Sequence, residues 1–276
     1  MKQQPIASQV TSAHNVLMLA GLLAVGLTGS IAVTPTTSDT MAQRAQVTAS
    51  AGAKQAAAPT PGARLAAPFN FKVDGYYDQL RQKMNWLPVR YAGNMLKTPD
   101  AQSRILLAQS AAQRAGLDEV GLSYRDVYGI INAETTWIPR MGASKDGTPN
   151  LGIAQFEPAT ARAVGLVNPG DPVEAVHAAA LHLKDAAKWS AKRISGLKLD
   201  PEQHAVKLRE GVSIYYNLST KGRNTWNGKN TAKLPIETRR HIANARLGAK
   251  EAAQLSAQLR ELKERMAGER TLTASN

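Results

Sequence analysis

The sequence predicts a mainly α-helical, all-α fold, and three observations carry that expectation. The 276 residues are 43% hydrophobic but only 5% aromatic, and much of the apolar share is alanine, which suits closely packed helices. From about Thr98 to Ala249, apolar residues recur at helical spacing between short loops with start and stop signals. No period-2 strand of any length is legible, although the loop from Arg140 to Asn150 has room for a short β-hairpin.

Composition divides the chain. Val16 to Val33 is an uncharged apolar run, VLMLAGLLAVGLTGSIAV, preceded by Lys2 and His14. Small residues follow, and Ser30-Ile31-Ala32 and Thr40-Met41-Ala42 both fit a cleavage site. Residues 1–33 therefore read as a secretory signal or as a membrane anchor through residues 16–33. Residues 34–67 are rich in Ala, Thr, Pro and Gly, a composition expected to act as a flexible linker. Residues 68–99 bring Phe69, Phe71, Tyr76, Tyr77, Trp86 and Tyr91, and form an N-terminal packing extension with a short helix from about Gly75 to Asn85.

Residues 100–249 carry the helical domain. Pro99-Asp100 precedes a helix with Ile105, Leu106, Ala108 and Ala112 that ends at Gly116. Ser123 caps the next helix, with Asp126 in its first turn. Pro158 opens a short helix ending at Gly165, and Asp171-Pro172 opens another to about Ser195, with Val173, Val176, Ala180 and Leu183 on one face. Pro201 starts a helix to about Asn217, and Pro235 starts the last. That final pattern continues to about Met266, so residues 250–276 form a long C-terminal helical extension. Its stripe of Leu255, Leu259, Leu262 and Met266 either packs back onto the domain or docks a partner helix.

The formal net charge is +13, which favours polyanionic partners. No long Lys/Arg run and no aromatic–basic interleaving is present, so no nucleic acid is expected. The absence of cysteine excludes disulfides, thiolate nucleophiles and Cys-ligated metals. His14, His177, His182, His204 and His241 make no metal-ligand spacing, and there is no Gly-rich phosphate loop; neither metal nor cofactor is expected.

The residue that stands out chemically is Glu134. Val127, Ile130 and Ile131 lie seven, four and three residues before it and share its helix face. A carboxyl on an apolar face is costly to bury, so such a group pairs with a partner or holds its proton, as a glycosidic general acid must. The surrounding stretch INAETTWIPRMGAS is followed, after a polar insertion, by NLGIAQFEPATARAVGL. This resembles the soluble lytic transglycosylase family, whose domain is lysozyme-like. The matching positions are Glu134, Pro139, Gly142-Ala143, Gly152, Gln155, Pro158, Thr160 and Ala161, then Asp171-Pro172, Tyr216-Asn217 and Leu234-Pro235-Ile236-Glu237-Thr238. They fall in the family's order over roughly residues 100–247.

The resemblance implies an exported or inner-membrane-anchored periplasmic enzyme of the cell envelope that acts on peptidoglycan glycan strands. Glu134 would be the catalytic acid, with Gln155, Tyr216, Asn217, Thr135 and Trp137 as substrate-binding candidates. Trp137 is open to a second reading as core, and Asn217 to one as a bridge at a helix end. The family's members also serve secretion and conjugation machinery, which adds an envelope-spanning assembly to the expected partners. Departures are Thr135 for the usual Ser, Ala154 for Met, Ser219 for Gly, and the insertion Lys145–Asn150. Two rival readings are a hydrolysing muramidase, with Asp146 or Glu157 as second carboxylate, and a non-catalytic peptidoglycan-binding component.

Peptidoglycan carries lactyl and peptide carboxylates, and exposed charges more than about 8 Å apart are screened at physiological salt. Sedimentation with purified sacculi is expected to show binding that weakens steadily as salt rises. Binding indifferent to salt would shift the explanation to sugar subsites or the C-terminal helix.

Overall fold

Several of the helices begin where the sequence supplies a capping side chain. In the computed structural model, residues 75–144 and 146–274 are described, the last seven by backbone alone. All of them belong to one compact unit. The expectations for residues 1–33 and 34–67 lie outside the described residues, as do Phe69 and Phe71.

Helix α1 spans Gly75–Gln82. Helix α2, Ala101–Ala115, is capped by Asp100, whose carboxylate accepts from Ser103 N at 2.7 Å, and it stops at Gly116 with φ of 62°. Helix α3, Tyr124–Thr135, starts at Ser123, whose own N–H donates to Asp126 Oδ2 at 2.7 Å. Helix α4, Pro158–Ala163, and helix α5, Pro172–Ile194, both open on proline, and Asp171 caps α5 through Val173 N. Helix α6, Pro201–Asn217, is capped by Asp200 with Gln203 reciprocating. A short α7, Thr220–Arg223, precedes the long α8, Ile236–Ala274.

The core is shared by α2, α3, α5, α6 and α8. His177 on α5 ties three helices together and is fully buried. Its Nδ1 lies 2.7 Å from Val173 O, and a carbonyl can only accept, so the proton sits on Nδ1. Nε2 then accepts from Ser110 Oγ on α2 at 2.8 Å, and Ser110 in turn accepts from Tyr76 on α1 at 2.7 Å. Burial pushes the imidazole down from its ordinary value to about 4.

The most extensive helix pairing is α3 against α8. Gly129 and Gly248 face each other where the two cross: a Cβ on Gly129 would lie 2.3 Å from Ala245 O, and one on Gly248 would lie 2.7 Å from the Cβ of Asn132. One inward-facing row of α8 is Thr238, His241, Ala245, Gly248, Ala252, Leu255 and Leu259, spaced 3 and 4 residues apart, with Ile242 buried beside it.

One expectation needs correction. A hairpin of β1, Trp86–Tyr91, and β2, Asn94–Pro99, stands in the packing extension, where no strand was expected. Its two turn residues, Ala92 and Gly93, have φ of 47° and 81°, the left-handed pair that two-residue hairpins favour. The C-terminal stripe also divides. Leu255 and Leu259 pack against the core, while Leu262 and Met266 remain about half exposed. The hairpin expected within Arg140–Asn150 is present as β3, Gly142–Ala143, and β4, Pro149–Asn150. Among the described residues no helix is long and apolar enough to cross a membrane.

Two outcomes follow from this packing. Gly129→Ala forces backbone off backbone at the α3–α8 crossing, and overpacking of this kind costs about 1–3 kcal/mol. Calorimetry is expected to show a melting temperature lowered by several degrees; an unchanged value would mean that the crossing accommodates a methyl group. For His177, the folded value of about 4 lies below the unfolded 6.5. Between the two the unfolded chain binds more protons, so stability rises with pH through this window and is lost as pH falls from 6.5 towards 4, by roughly 3 kcal/mol in all. Denaturant titrations at pH 7 and pH 5 are expected to show a smaller pH-dependent loss for His177→Asn than for the parent chain.

Candidate functional site

Three helices deliver the site. Glu134 sits in the last turn of α3, above buried Val127, Ile130 and Ile131, with its side chain 16% exposed. His241 on α8 is buried, and its Nε2 lies 2.8 Å from Glu134 Oε1. Among the described residues the other oxygen, Oε2, takes no hydrogen bond. Tyr216 on α6 stacks on the His241 ring, with centroids 6.4 Å apart and planes 16° from parallel. Its hydroxyl donates to Ala154 O at 2.8 Å. Burial first, and then the negative charge of Glu134, raise the phenol well above its ordinary value, so Tyr216 stays protonated and remains a donor.

The chain leaves Glu134 through strained backbone. Thr136 and Trp137 have φ of 51° and 64°, and Gln155 has φ of 51°, a region that non-glycine residues rarely occupy. Such conformations persist only where surroundings impose them, and they cluster at functional sites. The surroundings here are specific. Arg140 donates from Nη1 to Thr135 O at 2.6 Å and from Nη2 to Glu134 O at 3.0 Å, placing a cation on the carbonyls that end α3. The Arg140 guanidinium also lies 4.8 Å above the Tyr91 ring of β1. Thr98 at the end of β2 donates to Trp137 O at 2.8 Å. Gln155 donates through Nε2 to Arg140 O at 2.8 Å and to Gly152 O at 2.7 Å. Gly152 has φ of 69°, and a Cβ there would stand 1.9 Å from Pro169 O, so only glycine fits this turn.

Protein-family models, curated proteins and solved structures yield no match to the chain. The site therefore rests on its own geometry and on its motifs.

Of the residues singled out from the sequence, Glu134 and Tyr216 meet around His241. Gln155 joins them indirectly, through Arg140. Thr135 is fully buried, and its hydroxyl donates to Ile153 O at 2.8 Å and approaches Ile131 O, so it braces the site from behind and does not line it. Trp137 is also fully buried, tilted against Tyr128 at 4.9 Å, and belongs to the core. Asn217 accepts from Thr238 Oγ1 at 2.9 Å and bridges the end of α6 to the start of α8. Ala154 is buried and offers the site its carbonyl. Ser219 has φ of −56° and caps α7, a conformation that needs no glycine.

Neither rival carboxylate reaches Glu134 by hydrogen bond. Asp146 is exposed and accepts from Thr148 N, which holds it below the usual carboxylate range. Glu157 stands at the N-cap position of α4, yet its carboxylate accepts from Ser144 Oγ at 2.6 Å instead of capping. Among the described residues no cluster of His, Asp or Glu could hold a metal ion. An open depression of about 330 Å³ adjoins the loop after Glu134, lined by Trp86, Leu96, Lys97, Pro139, Gly170 and Pro172. Sequence reasoning missed His241 and Arg140. The signal for His241 was available: extending the 3–4 spacing of Leu255 and Leu259 back along α8 reaches it.

Proposed function

We propose that this chain is a peptidoglycan lytic transglycosylase in which Glu134 serves as the single catalytic acid and base. The observation that carries the reading is the placement of one partly buried carboxyl, with Oε1 tied to His241 and Oε2 left unbonded, at a strained helix end. The order of motifs around Glu134, Gln155 and Tyr216 supports it.

In the proposed reaction the substrate is the β-1,4 bond from N-acetylmuramic acid to N-acetylglucosamine. Glu134 gives a proton to the glycosidic oxygen, and the C1–O4 bond breaks with that oxygen leaving as a hydroxyl. The substrate's acetamido group assists at C1. The Glu134 carboxylate then takes the proton from the muramyl 6-hydroxyl, and O6 bonds to C1 to close the 1,6-anhydro ring. The carboxyl ends protonated as it began, and no water is consumed. Tyr216, held as a donor, stands beside the carboxyl. The apolar run at residues 16–33 supports export to, or anchoring at, the cell envelope, where this substrate lies. Attachment to a secretion or conjugation assembly is part of the same proposal.

Glu134→Gln keeps the shape of the side chain but cannot protonate an oxygen. Turnover of purified peptidoglycan by this variant is expected to fall by two or more orders of magnitude, with the fold retained by circular dichroism. Mass spectrometry of the products should show anhydro ends. Reducing ends would point to a hydrolase, and near-normal turnover would remove Glu134 from the chemistry altogether.

A further inference from the structure

His241 has two ring nitrogens in very different surroundings. Nε2 is bonded to Glu134 Oε1 at 2.8 Å, whereas Nδ1 is buried and without a hydrogen-bond partner among the described residues. Three proton arrangements are available to the pair. The imidazole can be neutral with its proton on Nε2, neutral with its proton on Nδ1, or doubly protonated. The last two place a buried N–H against nothing that can accept it, and an orphaned buried donor is strongly disfavoured. The first leaves only a lone pair unmatched. His177 shows the converse: its Nδ1 faces Val173 O, and the proton goes there. In both rings the tautomer follows from what stands opposite Nδ1.

We propose that His241 is a positioning residue, a fixed Nε2–H donor to Glu134 Oε1 that confines the acid proton of Glu134 to Oε2. This rests on the reading of Glu134 as the acid. With Nε2–H aimed at Oε1, a hydroxyl on Oε1 would leave that N–H a poor acceptor, whereas a carbonyl oxygen is a good one. The protonated carboxyl is therefore favoured with its proton on Oε2, which has no hydrogen-bond partner among the described residues. After that proton is delivered, the same N–H stabilises the carboxylate, and it does so without moving, because the donor is already in place. The reverse transfer returns the proton to the same oxygen. Tyr216 fixes the plane of the ring by stacking on it, and its hydroxyl is engaged with Ala154 O and leaves Nδ1 alone.

The test uses the full chain labelled with nitrogen-15 at histidine. A long-range proton–nitrogen correlation spectrum at neutral pH reads the tautomer of each ring, and His241→Gln assigns the His241 signals by their loss. The expected result is a protonated Nε2 and a bare Nδ1 for His241, and the opposite for His177. An Nδ1–H tautomer or an imidazolium at His241 overturns the proposal. Kinetics give a second readout. His241→Phe is expected to lower kcat about ten- to a hundredfold, the scale of a lost hydrogen bond to a charged group, with KM little changed. His241→Gln, whose amide N–H reaches the position of Nε2, is expected to stay within about threefold of the parent. Equal losses in the two variants would overturn the proposal, and if the Phe variant does not fold, the spectrum of the parent decides. Activity surviving in Glu134→Gln would instead defeat the reading of Glu134 as acid, while the spectrum still reports the Nε2–H bond.

Discussion

The close approach of α3 and α8 is the constraint on which the site depends. Gly129 and Gly248 remove the side chains that would hold the two helices apart, and backbone meets backbone at Ala245. From that crossing the inward positions of α8 run in both directions at a spacing of 3 and 4 residues. Towards the C-terminus they are Ala252, Leu255 and Leu259, an ordinary apolar seam. Towards the N-terminus they include Ile242 and then His241 and Thr238, the last two both buried and both polar. A buried polar side chain is tolerated only when it is matched. Thr238 finds Asn217 on α6, and His241 finds Glu134 on α3. The seam thus changes from apolar to polar where it meets the end of α3, and the tight crossing brings the polar end within hydrogen-bonding distance.

Most of the helical framework was legible because its signals are local. Asp100, Ser123, Asp171 and Asp200 each bond a backbone N–H in the first turn of the helix they precede, and Gly116 ends α2 in the left-handed conformation. The β1–β2 hairpin was not legible, for reasons visible in its residues. Pro88 interrupts β1, and a proline inside a run argues against a strand. A two-stranded ribbon accommodates it because both of its strands are edges. The turn signal, Ala92-Gly93, is weaker than Asn-Gly because alanine seldom takes positive φ. The strands also lie largely exposed, so the alternation that betrays a half-buried strand is blurred.

The candidate site was legible in part. Glu134 and Tyr216 stood out through spacing and motif, and the fold brings them to one place. Thr135 and Trp137 adjoin Glu134 in sequence, but adjacency on a helix end says little about direction. Once Thr136 and Trp137 enter the left-handed region, the indole turns into the core against Tyr128. His241 lies 107 residues from its partner, and only a tertiary contact reveals the pairing. Arg140 was hidden differently. Its role is to bond carbonyl oxygens, which every residue possesses, so no sequence pattern marks the partners it selects.

The violations of local rules gather around Glu134. Two consecutive non-glycine residues with positive φ follow it, and among the described residues the buried side-chain nitrogens without hydrogen-bond partners are Trp137 Nε1 and His241 Nδ1. Each is unfavourable by itself, on the order of 1–3 kcal/mol. Together they would open the loop unless something opposed them. Arg140 holds the carbonyls of Glu134 and Thr135, Thr98 holds that of Trp137, and Gln155 holds that of Arg140. The clamp is built from three separate segments: β2, the Arg140 loop and the Gly152–Gln155 turn. Each grips backbone and leaves the carboxyl of Glu134 alone. A loop held in this way keeps the end of α3 rigid while leaving Oε2 free, and rigidity combined with one unsatisfied oxygen is what proton delivery to a bound substrate requires.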